Sequence, residues 1–148
     1  MCCTYFRFFE TTQDTKHSDR TTEHVPNLVC LQQFCSKCEN ISEIEQDCIQ
    51  CGKRIHSFWD GPVGDMLSYL CESRPWAEKV FVIAQTAKVF DLHFIQNRAI
   101  LLKCQVELIM NGLKIMCIRV EHLVFLDTVS FLAFALRKLP EVVVPTLL

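Results

Sequence analysis

The chain reads as an α/β protein: a mixed sheet with flanking helices, interrupted early by a cysteine-rich insert. Three observations predict this. Beyond the insert, compact β-branched and aromatic runs alternate with stretches whose apolar residues recur at helical intervals. Asn111-Gly112 lies between two apolar runs, a hairpin signal that demands at least one antiparallel pair. Two CxxC pairs crowd into Cys35–Arg54, which holds little core material. With 148 residues, 50% of them hydrophobic and 22% charged, the chain matches one ordinary domain with a real core.

Tyr5–Phe9 is aromatic-rich and predicts a short strand. Thr11–Pro26 is polar and rich in Thr, Asp and His, which predicts a loop. Asn27–Phe34 predicts a second strand. Asp65–Glu72 spaces Met66, Leu67, Tyr69 and Leu70 helically, with Asp65 as its cap. Lys79–Ala84 is a compact apolar run of the kind found in buried strands. Phe90–Leu102 sets Phe90, Phe94, Ile95, Leu101 and Leu102 at roughly helical intervals. Val106–Met110 and Lys114–Val120 flank the Asn-Gly turn, and Leu123–Leu126 makes a further strand ending at Asp127. Phe131–Leu139 predicts a last helix halted by Pro140, followed by an apolar tail.

Composition excludes several classes. The formal net charge of -2 and the isoelectric point near 6.2 argue against a globally basic nucleic-acid coat. Four glycines and five prolines exclude collagen-like and linker-like chains. No apolar run approaches ~18 residues, so no spanning helix or membrane partner is expected. MCCTYFRFFE lacks the layout of a secretory signal. The ten cysteines are therefore expected in an intracellular, reducing compartment, as zinc ligands or buried thiols. Cys71, Cys104 and Cys117 fall in apolar runs and read as small core residues. Trp59 and Trp76 read as packing the insert against the core, and Lys53-Arg54 as solvated surface.

Cys35-Ser-Lys-Cys38 and Cys48-Ile-Gln-Cys51 stand nine residues apart, with Gly52 directly after the second pair. Zinc takes four soft ligands in a tetrahedron, and a CxxC turn offers two sulfurs from one side. Gly52 suits the left-handed turn that closes such a knuckle. The reading is a structural zinc site at Cys35, Cys38, Cys48 and Cys51. The alternatives are reduced thiols in a loop, a redox pair, or a site that recruits Cys30 or His56. Four protein ligands leave no open position, so such a zinc is not catalytic.

Glu10 ends an aromatic run in Phe8-Phe9-Glu10-Thr11-Thr12, and Asp91 opens a helix after Phe90. Taken alone, each is an ordinary strand end or helix-start charge. The order of three segments is more specific: FETT, AQTAKVFDLHFI and FLDTVSFLAFALRKLP. Together they resemble the 3′–5′ proofreading exonuclease region of protein-primed family B DNA polymerases, of the type carried by viruses and self-synthesising DNA transposons. The resemblance covers about Tyr5 to Pro140. It implies a ribonuclease-H-like fold, truncated at its C-terminus, with a zinc-ribbon-like insert at about 35–54, the whole chain being a partial exonuclease domain. It implies a polymerase fragment, located in the nucleus if expressed from a genomic element, whose partner is the 3′ end of single-stranded or primer-template DNA, the remainder of the polymerase chain being missing.

Residue by residue, Glu10 matches the glutamate of the family's Asp-x-Glu motif and Asp91 its second metal-binding aspartate. The resemblance makes both ligands of Mg²⁺ or Mn²⁺, which activate water at the scissile phosphodiester. Their side chains are expected on the order of 4 to 7 Å apart. Thr11, Thr86, Phe90, Phe94 and Thr128 stand at the positions that the resemblance implies contact or support the DNA strand. Thr86 stands where the family has Asn, Phe8 where it has its first metal-binding Asp, and Ala133 where it has Pro. The third exonuclease motif and the polymerase carboxylates are not in the chain. A phenyl ring cannot ligate a hard cation, so this chain alone is expected to be inactive. The alternative is a non-catalytic zinc-ribbon module that binds nucleic acid or protein.

Overall fold

A long hairpin opens the chain. Strands β1 (Thr4–Lys16) and β2 (Thr22–Phe34) run antiparallel, from Tyr5 opposite Phe34 to Lys16 opposite Thr22. The computed structural model describes residues 4–84 and 91–128, with the side chains of 4–13 and of Asp91 outside that description. The expected loop over Thr11–Pro26 is therefore mostly strand, with only residues 17–21 turning. Its polarity arises because this half of the hairpin extends beyond the reach of neighbouring strands, with Thr22–His24 exposed. Cross-strand pairs replace a core there: His24 Nδ1 lies 2.6 Å from Asp14, and His17 Nε2 lies 3.1 Å from Glu23. Pro26 is accommodated where the register shifts opposite Thr11 and Thr12, a break in the ladder that a residue without an N–H tolerates.

After the insert, β3 (Ile55–Trp59) pairs antiparallel with β2. Helix α1 (Pro62–Cys71) follows, then β4 (Val80–Ala84), which pairs parallel with β1. Helix α2 (Asp91–Leu101) leads to β5 (Val106–Asn111), β6 (Lys114–Val120) and β7 (Leu123–Asp127). β5, β6 and β7 form an antiparallel meander, and β7 closes back parallel to β4. One seven-stranded mixed sheet results, in the order β3-β2-β1-β4-β7-β6-β5. The expected α/β class with a mixed sheet is present.

Both helices lie on one face: α1 packs on β2 and β3, α2 on β5 and β6, and the helices touch each other. Val63, Met66, Leu67 and Leu70 give α1 an i, i+3, i+4, i+7 stripe, and all four are buried. On α2 the stripe is Leu92, Ile95 and Ala99. The expected contribution of Leu101 and Leu102 fails, because both lie past the last buried turn and are exposed. From the sheet, Val29, Leu31, Val82, Leu123 and Phe125 meet these stripes at alternate positions.

Local chemistry sets the ends. Gly61 caps α1 at φ 104°, and Pro62 supplies the first helical position, so Asp65 is not the cap. It sits instead in the first turn, where the helix dipole favours a negative charge. In the β5–β6 hairpin Asn111 pairs with Lys114, so the two loop residues are Gly112 and Leu113 rather than Asn111 and Gly112. Gly112 has φ 60°, and a glycine leading a two-residue loop is the requirement of a type II′ turn. The expected last helix over Phe131–Leu139 lies outside the described residues.

Candidate metal centre

The loop between Phe34 and Ile55 is built around sulfur. Cys35 leads into a short 3-10 turn, Ser36–Cys38, and the Cys38 N–H donates to the Cys35 carbonyl at 2.9 Å. Cys48 and Gly52 form an isolated antiparallel bridge, exchanging two N–H···O bonds of 2.8 Å. Gly52 takes φ 73°, the left-handed value that this closure demands. The two turns face each other.

Their sulfurs converge. Cys35 Sγ lies 3.8 Å from Cys38 Sγ and 3.7 Å from Cys48 Sγ, and Cys38 Sγ lies 3.5 Å from Cys51 Sγ. All four lie within 4.8 Å of one another. A tetrahedron of thiolates about 2.3 Å from a central ion has edges of about 3.8 Å. Cys35, Cys38, Cys48 and Cys51 are thus close enough to hold one metal ion. His56 and Cys30 are not recruited: His56 Nε2 lies 2.9 Å from the Lys53 carbonyl, and Cys30 Sγ lies 3.6 Å from Ser57 Oγ.

The thiols differ electrostatically. Burial pushes Cys35 up to about 11 and raises Cys51 as well. Burial acts on Cys48 too, but N–H groups of Cys51 and Gln50 and the thiols of Cys38 and Cys35 outweigh it and hold Cys48 at about 6. The shift favours the thiolate of Cys48, the form that ligates a metal.

The cluster has its own small core. Cys35, Cys38 and Cys48 are buried, with Phe34, Ile41 and Trp76 packed against them. Trp76 also packs against the main core, so it joins the insert to the sheet as expected. Trp59 does not: it ends the edge strand β3 and is 61% exposed. Arg54, read from sequence as solvated, is only 2% exposed. Its guanidinium lies 4.9 Å from the Phe34 ring centroid and donates to the Glu43 carbonyl at 2.9 Å, so it is enclosed where the insert folds back on β2.

A polar chain that the sequence reading missed ties the knuckle to α1 and β3. Gln33 is 1% exposed; its Nε2 donates to the Cys51 carbonyl at 2.7 Å. Its Oε1 accepts from the Tyr69 hydroxyl at 2.8 Å. The Tyr69 oxygen also lies 3.0 Å from His56 Nε2. Because Nε2 faces the Lys53 carbonyl, which can only accept, Nε2 carries a proton. Burial lowers the His56 pKa, reinforced by the charges of Lys53 and Arg74 and opposed by the Lys53 carbonyl. The signal was available: Val29, Leu31 and Gln33 alternate inward, and an amide at an inward position requires buried partners.

The resemblance-derived residues lie elsewhere, around the carboxyl end of β4. Arg7 of β1 pairs with Ile83, so Glu10 and Thr11 lie on β1 beyond the level of Ala84, where Glu10 pairs with Val29. Asp91 is the first residue of α2. The side chains of Glu10, Thr11 and Asp91, and Thr86 and Phe90 entirely, lie outside the described residues. Phe94 is half-buried against the main core. The Thr128 hydroxyl donates to the Ala84 carbonyl at 3.3 Å, joining the ends of β7 and β4. Asp127, opposite Ala84, is fully buried. No helix among the described residues is long and apolar enough to cross a membrane. No family model, curated protein or solved structure matches this chain.

Proposed function

We propose that the chain is the exonuclease-type region of a protein-primed family B DNA polymerase. In this reading it holds single-stranded DNA at the carboxyl end of β4 without hydrolysing it, and its knuckle carries a structural zinc ion. The observation that carries the reading is the strand arrangement. A ribonuclease-H-like sheet places three antiparallel strands beside further strands parallel to the first. The order β3-β2-β1-β4-β7, with β4 parallel to β1 and β7 parallel to β4, agrees with it. In such a sheet the carboxylates come from the first strand and from the helix after the fourth, where Glu10 and Asp91 stand.

Catalysis is not part of the proposal. Two metal ions need several hard oxygen ligands around one phosphodiester. Phe8 supplies none at the position of the first aspartate. Zinc is the reading for the knuckle because four thiolates in tetrahedral spacing select a soft ion that needs no open position. Its chemistry there is structural: it fixes the turn that joins β2 to β3.

The test uses the full chain and a 3′-labelled single-stranded oligonucleotide with Mg²⁺ or Mn²⁺. Binding in preference to blunt duplex, with no nucleotide release, is the expected result. Metal-dependent release would show that other carboxylates complete the site, with Asp127 and Asp14 the first to replace. Absence of single-strand binding would remove the DNA reading and leave the second one, a zinc-ribbon binding module, which the sulfur cluster favours by itself.

A further inference from the structure

Away from the carboxyl end of β4, β3 forms one edge of the sheet: it pairs with β2 on one side and with no strand on the other among the described residues. Ile55, Ser57 and Trp59 alternate onto one face of it. The insert stands beside that face, where Glu45, Asp47 and Lys53 join Ile55 and Ser57 in lining an open cleft of about 520 Å³. Trp59 leaves its indole in solvent at the end of the row. Within β3 itself there is no proline, no lysine and no break in register against β2.

We propose that this edge takes an extended, lysine- or arginine-bearing segment of a partner protein as an added strand. Main-chain pairing along β3 supplies affinity, and alternate side chains of the guest reach the cleft. Glu45 and Asp47 receive a cationic side chain there, and the exposed ring of Trp59 receives another over its face. Charge decides the class of partner. Across the insert the exposed carboxylates of Glu39, Glu43, Glu45 and Asp47 outnumber the exposed ammonium groups of Lys37 and Lys53. A phosphate backbone is repelled by that balance, and a cationic peptide is drawn to it. The inference does not depend on the polymerase reading, whose DNA lies at the carboxyl end of β4.

The experiment titrates the full chain into a fluorescently labelled, end-blocked peptide alternating lysine with valine. Anisotropy reports binding. Comparison probes are the glutamate–valine peptide, the lysine–valine peptide N-methylated at alternate residues, and an oligothymidylate competitor. The expected result is saturable binding of the lysine–valine peptide only, weakened about tenfold in Glu45→Gln/Asp47→Asn, since both carboxylates are exposed and an exposed ion pair contributes modestly. N-methylation, which removes main-chain donors but no charge, abolishes it. Equal binding by the double variant or by the N-methylated peptide, no binding at all, or displacement by oligothymidylate would each overturn the proposal.

Discussion

Gln33 occupies an inward strand position where its neighbours are Val29 and Leu31. Both ends of its amide are used, so Gln33→Leu removes the donor to the Cys51 carbonyl and one of the contacts of the Tyr69 hydroxyl, which keeps His56 Nε2 at 3.0 Å. Leaving a buried carbonyl unpaired costs about 1–3 kcal/mol. Urea denaturation of Gln33→Leu is expected to show that loss; a change under about 0.5 kcal/mol would mean water substitutes freely. His56 sets a pH dependence. Its pKa is depressed in the folded chain below the ordinary 6.5, so acid protonates the unfolded state first. Its contribution is intact above about 6.5 and is lost as pH falls through the lower folded value. The urea midpoint of the native chain should therefore fall more steeply below pH 6.5 than that of His56→Gln. Identical slopes would remove His56 as a source.

Gly64 shows how two elements meet. A Cβ built there comes 2.7 Å from Arg98 Nε and 2.8 Å from its Nη2. The obstacle is the far end of an exposed side chain, which can swing away. Glycine inside a helix costs about 0.5–1 kcal/mol relative to alanine. Gly64→Ala should accordingly leave the melting temperature unchanged or raise it; a clear fall would mean that Arg98 is fixed over α1. At this scale much was legible in sequence. β4, both helices, the meander strands and the knuckle follow from apolar spacing, Asn-Gly and CxxC, because each signal is local. The outer half of the β1–β2 hairpin was not legible. Its strands are held by partners six or more residues away and by exposed ion pairs, so no apolar alternation marks them. Leu101 and Leu102 misled for the converse reason, since apolar spacing does not say where the neighbouring element stops. The four sulfurs were legible as a set, whereas Gln33, Tyr69 and Arg54 acquire their roles only when the insert folds back on β2.

Across the molecule, the knuckle and the sheet have separate buried clusters joined by Trp76, Gln33 and Arg54. Purified chain is expected to hold about one zinc, by elemental analysis, and Cys48→Ser to release it. Four freely alkylated thiols in the folded chain, with no metal, would reject the site. Chelation should loosen the insert while far-ultraviolet dichroism of the sheet persists, because the main core contains none of the four cysteines. The knuckle's place in the chain has a further meaning. β2 and β3 are antiparallel neighbours, so the 20 residues between Phe34 and Ile55 are a hairpin loop. Joining the same strands through two residues would lower the loop-closure cost by about 2 kcal/mol, at about 0.6 kcal/mol per doubling of length. A bound ion cross-links Cys35 to Cys51 and shrinks the free loop to almost nothing. The metal then would act as a staple on chain entropy, lowering the cost of bringing β3 to the edge of the sheet.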